Sequence, residues 1–201
     1  MAFTCTTNGG GVELSASTFE SIYGKYADWA SYKTGVPYVM ILIMWYHESG
    51  KGIKNINTPY NNPANAYGSG PDHPYANICV GVTDFINLMT GTNFSVSAVD
   101  ANGRSASKYI KDAIANGYTL PASNRYGSIP GAGTYYAPGF GAGCAAMGAM
   151  GWAQSFYYSS GSAVGAIPSA AGNILQRWWE IYYSAISKTK IGTTLAPSCC
   201  S

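Results

Sequence analysis

Residues 36–46 read VPYVMILIMWY, an apolar run with no polar face, and they end abruptly in His47-Glu48-Ser49-Gly50. Gly35 followed by Pro37 opens this segment as a helix start. A helix over 37–48 that is hydrophobic on every side must be wrapped by other elements at the centre of a fold. The run falls well short of the ~20 apolar residues that cross a bilayer, so no membrane span is expected. The chain has only nine carboxylates, and one of them, Glu48, stands at the exit of its most apolar segment. A charged group is costly to bury there unless it is paired or keeps its proton.

The surrounding pattern is also helical. Ser17-Thr18-Phe19-Glu20 has the S-x-x-E form of a capping box. Phe19, Ile22, Tyr23, Tyr26, Trp29 and Ala30 then recur at three- and four-residue spacing, predicting a first helix that stops at Gly35. Further helices are expected over about 76–89, 105–116 with Gly117 as the stop, 142–159 and 168–188. In the last of these, core packing is expected of at least one of Trp178 and Trp179. With 201 residues, one domain is expected. The expected class is mainly α, with about six helices and an irregular lobe of loops and short strand pieces.

That lobe comes from two segments. Residues 49–75, SGKGIKNINTPYNNPANAYGSGPDHPY, are rich in Gly, Pro and Asn, which is turn chemistry. Long irregular segments in compact domains usually carry function. Residues 119–143 are rich in Gly, Pro and Tyr, too broken to be a strand and too aromatic for a simple linker; they are expected to form the opposite wall of a groove.

Composition narrows the function classes. Charged residues make up 10% of the chain and the formal charge is +2, too weak a field to argue for a nucleic-acid partner. The first residues contain neither a basic region nor an apolar stretch of signal-peptide length, so nothing marks the chain for the general secretory route. Five cysteines show no C-x-x-C spacing, and HES lacks the second His of a zinc-protease helix, so no metal and no cofactor are expected. Cys5 paired with Cys199 or Cys200 would join the two ends, with free buried thiols equally open. Cys79 lies within an apolar helical pattern, where an inert thiol is the simpler reading than a nucleophile served by His47 or His73.

Desolvation and the negative end of a helix dipole both favour the protonated form of a carboxyl at the position of Glu48. Such a group suits glycosidic cleavage, in which the departing sugar oxygen needs a proton. The alternative is a helix-end Glu that reaches water or pairs with Lys51 or Lys54. The string TGVPYVMILIMWYHESGKG, followed by Asn61-Asn62, resembles the catalytic segment of the lysozyme-like superfamily, especially lytic transglycosylases and phage or bacterial glucosaminidases. In that family G-V-P opens the central helix, Glu-Ser with a nearby Gly closes it, and an Asn-rich loop leads to a small-residue turn, here Tyr67 and Gly68. The resemblance is strongest over 19–89, including the downstream GVTDFINLM. The G-L-M-Q or F-G-I motif usual in these enzymes is missing, and Ala66, Tyr67 and Gly68 stand where it would lie. The resemblance implies a single lysozyme-like domain over 1–201, Glu48 as general acid, Ser49 as a residue that positions the loop, and Asn61, Asn62 and Tyr67 near the sugar.

A hydrolase of this kind needs a second carboxylate across the sugar. Asp72, in the loop GSGPDHPY, is the candidate, with an Asx turn as its plainer reading; Asp84, within a helix, is expected to cap or pair. Without a facing carboxylate, transglycosylation becomes favoured, one residue serving as acid and then base. Sugar grooves are lined with aromatic rings, and Tyr75, Tyr126, Tyr135 and Tyr136 are placed to line one. The expected function is cleavage of the β-1,4 glycan backbone of peptidoglycan, with the glycan strand as partner. The expected setting is a phage lysin or virion-associated enzyme with virion partners. A transglycosylase, or a non-catalytic phage structural or wall-binding protein on the same fold, is the alternative.

Overall fold

A computed structural model describes residues 11–54, 56, 60–65, 73–91, 103–124, 127–129, 131–150 and 173–200. It is mainly helical. The α-helices among these residues are α1 (Ala16–Thr34), α2 (Tyr38–Glu48), α3 (Ile78–Thr90), α4 (Ala106–Asn116), α5 (Phe140–Ala149) and α6 (Asn173–Tyr182). The chain forms two compact units, Met1–Asn87 with Tyr182–Ser201, and Leu88–Ile181.

In the first unit α1 packs along α2. Its N-cap is Ser15, not the expected Ser17. Ser15 is extended (φ −64°, ψ 157°) and its Oγ accepts the Thr18 amide at 3.2 Å, whereas Ser17 already lies in the first helical turn. Glu20 is therefore not the partner of a capping box, and its carboxylate accepts the Tyr38 hydroxyl at 3.0 Å. Gly35 ends α1 in the left-handed region (φ 69°) and returns its amide to the Ser31 carbonyl. With Pro37 as N-cap, α2 begins at once, and every residue from Tyr38 to Tyr46 is buried. The all-apolar helix is thus central to its unit, as its sequence requires.

The start of α3 is set by Asn77, whose Oδ1 accepts the Val80 amide at 3.1 Å. Its inner face, with Ile78, Val82, Phe85 and Met89, is buried. The C-terminal segment returns along α1. Ser31 Oγ accepts the Gly192 amide at 2.8 Å, and the Asp28 carboxylate accepts the amides of Thr193 and Thr194. A disulfide joins Cys200 to Cys79 at the start of α3, Cys199 is also disulfide-bonded, and Cys144 is a buried thiol outside any disulfide. Cys5 lies outside the described residues.

In the second unit α4 runs from the N-cap Ser105 to Gly117 (φ 83°) and packs on α5. The segment after it, too broken in sequence to be a single strand, contains two short antiparallel pairs. β1 (Tyr118–Thr119) pairs with β4 (Tyr135–Tyr136), and β2 (Ser123–Asn124) with β3 (Gly127–Ser128). The return between them is closed by Gly133 N–H to the Leu120 carbonyl and Leu120 N–H to the Thr134 carbonyl. Leu120, Ile129, Ala145 and Ala149 make an apolar cluster beneath Tyr118 and Tyr136. In α6 Trp179 is buried and its ring lies 5.4 Å from Phe140, while Trp178 is half-buried. α6 ends at Tyr182 rather than near 188, because residues after it turn, with Ile186 N–H bonded to the Tyr183 carbonyl. The expected helical stretches 151–159 and 168–172 lie outside the described residues.

Candidate active site

Glu48 is the last residue of α2 and is 7% exposed. Directly after it the chain makes a tight, hydrogen-bonded turn. Ser49 is fully buried; its amide bonds to the Trp45 carbonyl, and its Oγ accepts the Gly52 amide at 2.9 Å and donates to the Tyr46 carbonyl at 3.4 Å. Gly50, Lys51 and Gly52 all take positive φ (56°, 62° and 88°), so three successive residues turn the chain back. A Cβ on Gly52 would meet Leu14 Cδ1 at 2.7 Å, and Leu14 N–H in turn bonds to the Lys51 carbonyl. Lys51 pairs with Glu13 and lies over the Tyr182 ring. The hydroxyl of Ser49 thus stitches the turn that fixes where α2 ends.

Helical spacing sets the direction of Glu48. It shares a face of α2 with Met44 and Trp45, one turn earlier, and lies about opposite Tyr46. The Trp45 ring meets Phe85 of α3 edge-on at 5.3 Å. One turn before Phe85, Gly81 lets the backbone of Asn61 approach so closely that a Cβ there would meet the Asn61 carbonyl oxygen at 2.0 Å. A chain of contacts therefore runs from the Glu48 face of α2 through α3 to the Asn-rich loop.

That loop is held by its own asparagines. Asn61 and Asn65 adopt φ of 52° and 50°, a region that Asn tolerates better than most residues. Asn61 donates from Nδ2 to the Tyr75 carbonyl at 3.0 Å, Asn62 from Nδ2 to the His73 carbonyl at 3.3 Å, and Tyr75 N–H bonds to the Tyr60 carbonyl. Asn61, Asn62 and Tyr75 are thus brought together, with both asparagine side chains buried as clamps between the two ends of the loop. The Tyr75 hydroxyl donates to the Asp84 carboxylate at 2.5 Å, so Asp84 pairs, as its helical position suggests.

Tyr135 and Tyr136 belong to the second unit, where Tyr135 is exposed and Tyr136 packs against the apolar cluster. Asp72, Tyr67 and Tyr126 lie outside the described residues. His47, beside the candidate acid, is held at a pKa of about 4 by burial, so its ring is neutral near pH 7. The Tyr46 hydroxyl is pushed up to about 12, again chiefly by burial. Neither Gly81 nor the Tyr75–Asp84 pair is signalled by spacing in the sequence; only the Gly within an otherwise apolar helix hints at a close approach. No family model, no curated protein and no solved structure matches the chain.

Proposed function

We propose that this protein is a peptidoglycan glycosidase of lysozyme-like fold that cleaves β-1,4 bonds of the glycan backbone, with Glu48 as general acid. The observation that carries the reading is the placement of Glu48: one buried carboxyl, at the end of a fully buried apolar helix, followed by a turn whose hydrogen bonds fix its position. In the reaction its proton passes to the glycosidic oxygen as the bond to the anomeric carbon breaks and positive charge grows on the sugar. A neutral His47 adds no cation beside it. Asp72 takes the role of the second carboxylate, which activates the attacking water or stabilises the sugar cation. The ligand is the glycan strand, and the setting is a phage lysin or virion-associated enzyme.

Zymography on purified peptidoglycan tests this, with Glu48→Gln as the paired variant. Clearing by the wild type that is lost in Glu48→Gln supports the acid role. Absence of clearing by both overturns it and leaves a wall-binding protein. Mass analysis of the digest is expected to show new reducing ends; anhydro ends would instead make Glu48 act alone, as acid and then as base.

A further inference from the structure

A groove of about 500 Å³ runs along the outer face of α3 in the first unit, within the size range of small-molecule sites. Val80, Thr83, Asp84 and Asn87 form one stripe of that helix, at i, i+3, i+4 and i+7. The Cys79–Cys200 disulfide holds the C-terminal segment alongside it. The groove's hydrogen-bonding groups are mixed and mostly neutral. Asp84 is oriented by the Tyr75 hydroxyl on its Oδ2. Asn77 uses its Oδ1 on the Val80 amide and presents NH₂ donors. Thr83 donates to the Cys79 carbonyl at 2.8 Å, which leaves its oxygen as an acceptor. Asn87 is exposed, and Val80, 45% exposed, supplies an apolar patch between them.

Among the described residues no Lys, Arg or His lines the groove, which disfavours phosphates and carboxylates as ligands. One oriented carboxylate, amide donors, a hydroxyl acceptor and a small apolar patch match a neutral ring that carries hydroxyl and acetamido groups. We propose that this groove is a second saccharide site, which takes N-acetylhexosamine units of a glycan strand away from the Glu48 turn. The choice of sugar rests on the glycosidase reading above. A second site of this kind raises the effective concentration of the same polymer at the first.

The test uses the full chain carrying Glu48→Gln, titrated with the tetrasaccharide of β-1,4-linked N-acetylglucosamine and followed by amide NMR. Saturable shifts of amides in residues 77–87 are expected, and Thr83→Arg or Asn87→Arg should weaken that binding at least tenfold. Both substituted side chains are exposed, and a retained, dispersed amide spectrum shows that the variants fold. The inference is overturned if the tetrasaccharide leaves 77–87 unshifted, if neither Arg variant weakens binding, or if Nα-acetyl-lysine methylamide binds there in place of the sugar. Its failure is separable from that of the glycosidase reading. Clearing without binding at α3 defeats this site alone, and binding at α3 without clearing defeats the catalytic role alone.

Discussion

The imidazole of His47 is taken out of water beside the candidate acid, and this sets a pH dependence on folding. In the native state it titrates near 4, and in the unfolded chain near the ordinary 6.5. Between these values the unfolded state binds the proton and the native state does not, so stability grows as pH rises from about 4 to about 6.5 and is level above. The loss on acidification from this residue is on the order of 2–3 kcal/mol. Urea midpoints at pH 7.0 and 4.5 should differ in the wild type and much less in His47→Gln; equal differences would remove the assignment. At the neighbouring position Glu48→Gln should lower turnover by about 10²–10⁴-fold, the usual worth of a general acid, with the fold retained by circular dichroism. The position of Glu48 at the buried end of α2 was legible in the sequence because an acid closing an apolar helix is anomalous on its own. The clamp roles of Asn61 and Asn62 were not, because their partners are main-chain carbonyls of Tyr75 and His73 across a loop, and residue identity does not encode that pairing.

At the scale of elements, α2 was readable from its unbroken apolarity and α3 from its three- and four-residue spacing, since both signals come from burial of a whole face. The beginning of α1 was displaced by two residues because Ser15 and Ser17 offer the same hydroxyl, and only backbone conformation distinguishes the cap from the first turn. Ser15→Ala should therefore cost about 1 kcal/mol in urea unfolding, whereas Ser17→Ala, whose side chain is exposed, should be near neutral. The pairs β1–β4 and β2–β3 were invisible to pattern reading, because two-residue strands have no alternation to display. The contact between α3 and the Asn-rich loop makes a sharper demand. A methyl group at 81 would stand 2.0 Å from the Asn61 carbonyl oxygen, and that neighbour is backbone, not a side chain that can swing aside. Gly81→Ala should thus destabilise by about 2 kcal/mol or more despite its better helix propensity. An unchanged urea midpoint would show that the loop yields.

Over the whole molecule, the first unit is assembled from two stretches far apart in the chain, with residues 182–201 returning to the fold begun by 1–87. No local periodicity predicts that return. It is made by hydrogen bonds of the tail to Asp28 and Ser31 and by the Cys79–Cys200 bond, which spans 121 residues of sequence. The sequence left the pairing of Cys200 open because connectivity depends on which segments meet in space, and that is fixed only once the tail lies on α1 and α3. A cross-link that closes so long a loop chiefly lowers the entropy of the unfolded chain, and its removal should cost about 2–5 kcal/mol. The informative variant replaces both partners, Cys79→Ala with Cys200→Ala, because the sulfurs of Cys79, Cys199 and Cys200 all lie within 4.8 Å of one another and a single replacement would leave a thiol able to exchange with the neighbouring disulfide. Cys144→Ala is the control, a thiol in the second unit that takes part in no disulfide, and it should shift the urea midpoint far less. If the double variant unfolds at the wild-type midpoint, the hydrogen bonds to Asp28 and Ser31 suffice to hold the tail; a large loss with little change in Cys144→Ala places the closure of the first unit on the sulfur bond.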